Sequence, residues 1–385
     1  MIAVRVTMNG SMSGLRARDH EKNFVWRILV LLTLGCTTAL QAGMPAGSIE
    51  AFIDNEMPVS GAPGLAYAVV AEGEIRTVGA RGVVRIGDDK AVTPDTPFNT
   101  GSISKSFTAL AVMQLVEAGK VDLDAEVSRY LTVFSGQPAG VITIRQLLSH
   151  TSGLSTFQGN RSHSDNTPHK NALARRVNQQ AGVIPAYNPG DRWEYSNLNY
   201  QILGRLIEVV SGQTYQSYIA TLILEPVGMT HSFVADGEIH DAMATGHRPW
   251  FGTKRPLAEN KTDLGTAPQG GIIASASDLA RYLLIMMNGE DDVLSAKGKA
   301  VMMRPASEAS PFYGFGWFLD SGNRTVYHSG NSVGYETLAT MDLAEKKGVV
   351  VLVNAVGGMG FGETAQLRNG ITARALGLDY DGEGS

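Results

Sequence analysis

Ser102-Ile103-Ser104-Lys105 places a serine three residues before a lysine, at the predicted start of a helix. Apolar residues follow at mostly helical spacing, which predicts a helix over 102–118. Residues three apart share one helix face, so the Ser102 hydroxyl and the Lys105 amine can meet. A serine hydroxyl needs a neighbouring base to become a nucleophile, and a lysine with a lowered pKa can be that base. Because so short a pattern recurs by chance, its meaning depends on the rest of the chain.

The composition is that of an ordinary globular protein. The chain has 385 residues, of which 43% are hydrophobic and 18% charged, enough for one large domain or two lobes. Its net charge is −5 and no run of lysine or arginine marks a nucleic-acid-binding face, so we predict no nucleic-acid partner. The single cysteine, Cys36, excludes an intrachain disulfide and a cysteine metal site. The histidines show no metal-binding spacing, and we predict neither a metal nor another cofactor.

The N-terminal segment has the pattern of a secretory signal peptide. Residues 28–34 are apolar, basic residues precede them, and Leu40-Gln41-Ala42 offers a small-residue cleavage site. The apolar run is too short to predict a membrane span, and no later run is long enough. We expect residues 1–42 to be removed and the mature protein to be periplasmic or secreted. A lipid anchor at Cys36 is a second interpretation, which the poor match of Thr33 to a lipoprotein signal disfavours.

The predicted elements come in the order strands, a long helical section, then strands and a final helix. Residues 64–86 have the pattern of two strands around Glu72-Gly73. A helix is predicted to begin at Thr143, which forms a capping box with Gln146. Further helices are predicted over 102–118, 197–211, about 277–287 and after Gly362. Further strands are predicted over 313–319, 325–328, 335–342 and 348–354. This order suggests an antiparallel sheet built from both chain ends, with a helical lobe inserted between them. A binding site is then expected in the cleft between the lobes.

Two further short motifs can join Ser102 and Lys105. Tyr195-Ser196-Asn197 stands at the start of the 197–211 helix, and His328-Ser329-Gly330 ends a predicted strand. Taken singly, such a tyrosine is more often a packing residue, and such a histidine is more often bonded to the backbone. The joint occurrence of the three motifs favours a catalytic site instead.

In these motifs the chain resembles the serine β-lactamase-like superfamily, which includes class C β-lactamases, DD-peptidases, D-aminopeptidases and related esterases. That family carries S-x-x-K, Y-x-N and a third motif, K-T-G or H-x-G, in the same order. Segments familiar from the family also stand at 144–154, 188–190, 225–229 and 313–317. The resemblance covers about residues 48–378 and implies an α+β fold of the β-lactamase/transpeptidase type. A single catalytic domain is expected, with an α/β lobe from about 48–98 and 267–378 and a helical lobe from about 99–266.

The resemblance also implies the catalytic roles. Ser102 would be the acylated nucleophile, while Lys105 and Tyr195 would move its proton as general base and acid. Tyr195 suits this role only if a nearby cation, expected to be Lys105, lowers its pKa. The backbone N–H groups of Ser102 and Asn331 would form the oxyanion hole.

The remaining motif residues are expected to contact the substrate, a small molecule or short peptide. Asn197 would bind an amide carbonyl, and His328 and Gly330 would line the cleft. A lysine at position 328 would hold a substrate carboxylate, as penicillins and D-Ala-D-Ala peptides offer, whereas a histidine is mostly neutral at pH 7. The H-x-G form resembles D-aminopeptidases, D-amino-acid amidases and broad esterases.

We therefore expect a secreted serine hydrolase that cleaves small D-configured peptides or amides, or small esters. A class C-like β-lactamase is an alternative, and so is a slow-deacylating penicillin-binding protein or a non-catalytic sensor or scaffold. The oligomeric state is left open. Residues 330–334 also match the G-x-S-x-G elbow of α/β-hydrolases, but no histidine follows His328 and a strand-like run follows the motif. Ser332 is therefore rejected as the nucleophile.

Overall fold

The computed structural model describes residues 48–161, 171–250, 253–257, 263–289, 291–357 and 362–378. The expected signal peptide, residues 1–42, lies outside the described residues, and Cys36 lies outside them with it. Within the described ranges, no helix combines the length and the apolar character needed to cross a bilayer.

Both ends of the chain contribute strands to one antiparallel sheet, as the element order predicted. The strands are β1 (Gly64–Ala71), β2 (Glu74–Gly82), β3 (Phe98–Asn99), β4 (Phe233–Val234), β5 (His247–Trp250), β6 (Thr253–Pro256), β7 (Ile272–Ala274), β8 (Phe318–Leu319), β9 (Thr325–Ser332), β10 (Tyr335–Asp342) and β11 (Lys347–Val353). Six of them form the main sheet in the order β2-β1-β11-β10-β9-β8. Strands β3, β7 and β4 form a small second sheet, and β5 pairs with β6.

The helices surround this sheet and fill the middle of the chain. They are α1 (Ile49–Ser60), α2 (Ser104–Glu117), α3 (Ile144–Leu148), α4 (Thr156–Arg161), α5 (Ala172–Gln179), α6 (Asn197–Ser211), α7 (Tyr215–Ile219), α8 (Glu225–Val227), α9 (Ala267–Gly270), α10 (Ala276–Met287), α11 (Ala296–Met302) and α12 (Gly362–Leu376). A π-helical turn, Ala220–Leu224, joins α7 to α8. Short 3-10 turns lie at Gly101–Ile103, Val127–Arg129, Thr132–Phe134, Pro138–Val141 and Leu264–Thr266.

Strand β1 is apolar along its length because helices cover both faces of the sheet. Leu65 and Tyr67 pack with α1 and α12, whereas Ala66, Ala68 and Val70 point the other way into the main core. Helix α10 packs on this second face, against β1 and β11. Alternate side chains of one strand therefore enter two different apolar layers, and a buried strand of this kind shows no polar face.

Most predicted element boundaries are confirmed. Helix α6 spans the predicted residues 197–211 and ends at Gly212, which adopts φ 74°. Helix α3 begins with the predicted capping box, in which Thr143 accepts from the backbone N–H of Gln146. Ser275 caps α10 by accepting from the backbone N–H of Asp278.

Three predicted elements are wrong in part. The strand predicted over 325–328 continues as β9 to Ser332. The helix predicted from residue 102 begins as a 3-10 turn, since the N–H of Ser104 bonds to the carbonyls of Gly101 and Ser102. The strand predicted over 313–319 is reduced to Phe318–Leu319. Gly316 at φ 77° lies against the backbone of Ser106, and this turn prevents an extended course before residue 318.

Candidate active site

The start of α2 brings Ser102 and Lys105 together. Lys105 Nζ lies 3.1 Å from Ser102 Oγ, and it donates to the backbone carbonyl of Gln269 at 2.8 Å. Gln269 belongs to α9, where its side chain is held by a hydrogen bond from Gln201 of α6. The hydroxyl and the amine are thus within proton-transfer distance, as the helix spacing predicted.

Lys105 is fully buried, at 0% exposure, and none of the described carboxylates forms an ion pair with it. Burial disfavours the ammonium form and lowers the pKa of Lys105 well below its usual value. A neutral amine has a free lone pair, so Lys105 can accept the proton of Ser102. A lysine held charged by a carboxylate could not do this.

Tyr195 forms the opposite side of the site. Its ring centroid lies 4.8 Å from Lys105 Nζ, and its phenol is hydrogen-bonded to Ser102. Removal from water raises the pKa of Tyr195 well above its usual value, and the bond to Ser102 only partly opposes that effect. The expectation that Lys105 would lower the pKa of Tyr195 is therefore wrong. The resting site contains a neutral phenol beside an amine that tends to be neutral, and the amine is the better base of the two.

Strand β9 approaches the turn that carries Ser102. A Cβ built on Gly330 would lie 1.9 Å from the carbonyl oxygen of Thr100, and one built on Gly101 would lie 3.0 Å from the amide nitrogen of Asn331. Both glycines are therefore required for the contact between strand and turn. Gly101 also adopts φ 53°, a conformation that favours glycine.

The pairing of β9 with β10 orients the amide of Asn331. Ser332 pairs with Tyr335 across a two-residue turn, and Asn331 pairs with Glu336. The residues that close such a turn exchange hydrogen bonds, and the next pair directs its N–H groups away from the partner strand. The N–H of Asn331 therefore points away from β10, toward the turn of Gly101 and Ser102. This is the arrangement that an oxyanion hole needs.

His328 lies behind the site and is only 1% exposed. Its Nδ1 donates to the carbonyl of Ser329 at 2.7 Å, and its Nε2 lies 3.3 Å from the hydroxyl of Tyr313. Burial, with a smaller contribution from Lys105, lowers the pKa of His328 to about 3. The expectation of a neutral histidine is confirmed. Its ring centroid lies 6.4 Å from that of Tyr195, so it contributes shape rather than charge.

The low pKa of His328 predicts acid sensitivity. An unfolded histidine titrates near pH 6.5, so between about pH 6.5 and about 3 the unfolded chain binds a proton that the folded chain does not. The free energy of unfolding should therefore fall as the pH drops through this window. When urea unfolding is measured at pH 7, 5 and 4, the free energy of unfolding of H328Q should depend less on pH than that of wild type. H231Q, a control at an exposed site, should keep the pH dependence of wild type. The same pH dependence in wild type and H328Q would contradict the low pKa assigned to His328.

Among the described residues, the hydrogen bonds of Asn197 do not join it to Ser102 or Lys105. It is the first residue of α6, two positions after Tyr195, and its amide nitrogen donates to Asn160 Oδ1 at 3.1 Å. The side chain is partly exposed. Its predicted contact with a substrate carbonyl stays a prediction. Within the described parts of the chain, no group of histidine, cysteine and carboxylate side chains is arranged to hold a metal ion.

Sequence reasoning missed an aromatic wall that extends from Tyr195. Trp193 lies 6.4 Å from Tyr195 and 4.9 Å from Phe312 between ring centroids, and Phe318 stacks 6.4 Å from Tyr195. Phe312, at the outer end, is 41% exposed. The high density of aromatic residues over 312–318 is the signal that could have predicted it. His150 also belongs to this surrounding, since its ring centroid lies 4.4 Å from that of Tyr195.

Comparison with known proteins identifies a family and several similar chains. The family model named Beta-lactamase matches residues 49–373. Penicillin-binding protein 4 of Amycolatopsis lactamdurans is 32% identical over 279 residues, which cover 67% of this chain and 71% of that protein. The octameric penicillin-binding protein homologue from Pyrococcus abyssi is a similar solved structure, with a TM-score of 0.73, 27% identity, and coverage of 87% of this chain and 78% of that one.

A further relative, protein flp of Staphylococcus aureus strain MRSA252, is 27% identical over 317 residues and matches 80% of this chain. The chain spans 62% of the length of that relative.

Proposed function

Since the chain belongs to the β-lactamase family of serine hydrolases, we propose that it cleaves small D-configured amides or peptides, or small esters, through an acyl-enzyme on Ser102. One observation carries the proposal. The buried amine of Lys105, without a carboxylate partner among the described residues, lies 3.1 Å from the Ser102 hydroxyl. A serine with an adjacent neutral base is an activated nucleophile.

In the proposed acylation step, Lys105 takes the proton of Ser102 as Ser102 Oγ forms a bond to the substrate carbonyl carbon. The backbone N–H groups of Ser102 and Asn331 stabilise the oxyanion. Collapse of the tetrahedral intermediate breaks the bond to the leaving group, which receives a proton from the phenol of Tyr195. The ammonium of Lys105 then returns a proton to the phenol. Water cleaves the ester of Ser102 by the reverse proton route, which restores the free enzyme.

The charge of the site supports substrates that lack a carboxylate. His328 is neutral above about pH 3, and Lys105 favours its neutral form. The guanidinium of Arg192 is already engaged, since it lies 3.1 Å from the ring centroid of Tyr187 and pairs with Glu194. Among the described residues, His328, Lys105 and Arg192 therefore offer no free cation to a substrate carboxylate, and desolvation of a carboxylate without a cation is costly. Amides and esters carry no such charge.

The activity test uses a panel of chromogenic substrates. D-alanine p-nitroanilide, its L-enantiomer and p-nitrophenyl butyrate are offered to wild type and S102A. The proposal predicts multiple turnovers of the D-anilide or the ester by wild type, and their loss in S102A. Wild type and S102A that are equally inert toward every member of the panel would overturn it.

A slow penicillin-binding function is the second candidate, because the relative that is 32% identical carries that name. Intact mass of the protein over time with benzylpenicillin separates the cases. A lasting adduct that is absent in S102A indicates slow deacylation. Hydrolysed drug without an adduct indicates a β-lactamase, and intact drug without an adduct supports the amide or ester proposal.

The aromatic wall predicts a preference for aromatic substrates. Phe312 is exposed beside Trp193, so it can stack on a substrate ring, and such a pair contributes about 0.5–1.5 kcal/mol. In F312A, the ratio of kcat/KM for D-phenylalanine p-nitroanilide over D-alanine p-nitroanilide should fall by up to about 10-fold. F312Y should preserve the ratio because it keeps the ring. An unchanged ratio in F312A would show that Phe312 does not contribute to recognition of the aromatic substrate.

Export belongs to the same proposal. The apolar run and the small-residue site at Leu40-Gln41-Ala42 support removal of residues 1–42. N-terminal sequencing of the protein recovered outside the cytoplasm should begin at Gly43. A lipidated N-terminus at Cys36 would favour the lipoprotein interpretation instead.

A further inference from the structure

His150 holds an unusual backbone conformation in a buried place. It adopts φ 58°, and the other described non-glycine residues with positive φ, namely Glu72, Asn323 and Lys346, are exposed. His150 itself is 1% exposed. The left-handed conformation is unfavourable for residues with a side chain, and it persists where surrounding contacts enforce it. Such a buried outlier beside a candidate site calls for a functional explanation.

The contacts of His150 lie on both sides of Tyr195. Its backbone carbonyl accepts from the N–H of Glu194 at 2.9 Å, and its ring Nδ1 accepts from the N–H of Ser196 at 3.1 Å. One residue therefore fixes the amide before the tyrosine and the amide after it. The side-chain amide of Asn199 lies 3.0 Å from the same Nδ1.

These contacts define the tautomer and the position of the ring. A backbone N–H can only donate, so Nδ1 is an acceptor and the proton of the neutral ring is on Nε2. Nε2 is buried and has no hydrogen-bond partner among the described residues. The ring instead packs on aromatic faces, with centroids 4.4 Å from Tyr195 and 5.0 Å from Tyr313. The ring thus packs against the face of Tyr195, while the ring and the backbone carbonyl of His150 each bind one of the flanking amides.

We infer that His150 is a positioning residue, which fixes the phenol of Tyr195 against Ser102 and Lys105 by binding the two amides that flank the tyrosine. The inference rests on the proposed function, in which Tyr195 relays a proton. The left-handed backbone conformation contributes to this positioning, because it lets the carbonyl and the ring of His150 both reach the segment 194–196. A misplacement of about 1 Å in a catalytic group can cost about 100-fold in rate.

Two variants separate positioning from packing. H150N keeps an acceptor, Oδ1, near the place of Nδ1, and asparagine tolerates positive φ. H150G also tolerates positive φ and keeps the backbone carbonyl, but it has no side-chain acceptor for the N–H of Ser196. Both lose the ring, so a role confined to stacking on the tyrosine rings would affect both alike. With the best substrate of wild type, H150G should lose about 100-fold in kcat with KM within about 2-fold, and H150N should recover at least about 10-fold.

A second readout is independent of turnover. With 3-fluorotyrosine incorporated, the ¹⁹F resonance of Tyr195 is assigned by its absence in Y195F. It should be sharp and similarly placed in wild type and H150N, and shifted or broadened in H150G. Equal kcat losses in the two variants, or a Tyr195 resonance unchanged in H150G, would overturn the inference. A wild type that turns over no substrate but shows the expected resonances would contradict the proposed function and leave the positioning supported.

Discussion

S102A is expected to abolish acyl transfer, with kcat/KM at least about 10⁴-fold below wild type toward every substrate that wild type hydrolyses. The reason is chemical, since Ser102 carries the hydroxyl that is hydrogen-bonded to Lys105 Nζ, at 3.1 Å, among the described residues. The fold should tolerate the change, because Ser102 is partly exposed and Lys105 keeps its bond to the carbonyl of Gln269. Steady-state kinetics and intact mass after incubation with an acylating substrate measure the two consequences.

The matched control is S332A. Ser332 stands in the G-x-S-x-G sequence that imitates a nucleophile elbow, and it lies on β9 rather than in a strand–turn–helix. Its replacement should leave kcat/KM within a few-fold of wild type. Loss of activity in S332A with activity retained in S102A would reverse the assignment of the nucleophile.

K105M is expected to combine a large loss of activity with a gain in stability. Removing the base should lower kcat/KM by about 10³-fold or more, within the range known for loss of a catalytic base or nucleophile. Burial of the amine is unfavourable, as the lowered pKa of Lys105 shows, and methionine fills the same space without a polar group. Thermal unfolding should therefore occur at a higher temperature in K105M than in wild type.

The lowered pKa of Lys105 also determines how the free energy of unfolding depends on pH. The unfolded lysine titrates near pH 10.4, and the folded one at a much lower pH. Between the two values the unfolded chain binds more protons, so the free energy of unfolding rises with pH across that window. K105M should lack this contribution of Lys105 to the rise of the free energy of unfolding with pH. The kcat/KM of wild type should rise with pH as folded Lys105 loses its proton, because only the neutral amine is a base.

Lys299 is a buried lysine that, unlike Lys105, has a carboxylate partner. It is also buried, at 1% exposure, but it forms an ion pair with Asp291 and donates to the carbonyl of Gly289. K299M should destabilise the protein by about 3–5 kcal/mol, because it leaves the partner carboxylate without its cation. Its kcat/KM should stay near that of wild type. Destabilisation of K105M like that of K299M would contradict the gain in stability expected from removing a buried amine.

Local features of the chain were accessible from the sequence. Helical spacing placed Ser102 and Lys105 on one face, and Gly212 and the capping box at Thr143 marked helix ends. The order of strands and helices indicated a sheet built from both chain ends. Each of these depends on residues within a few positions of one another, whose geometry the backbone itself dictates.

The chemical state of the site was decided by tertiary structure. The sequence left two states open for Lys105, a neutral base with a lowered pKa or a cation that lowers the pKa of Tyr195. The fold favours the first, because it buries both groups without a carboxylate partner for the amine among the described residues. Likewise, Lys105 bonds to a carbonyl 164 positions away, and His150 binds the N–H of Ser196 across 46 positions. A pKa depends on how much water and which charges surround a group, and those neighbours come from distant parts of the chain. The motifs therefore identified which residues meet, whereas packing determined which of them is the base.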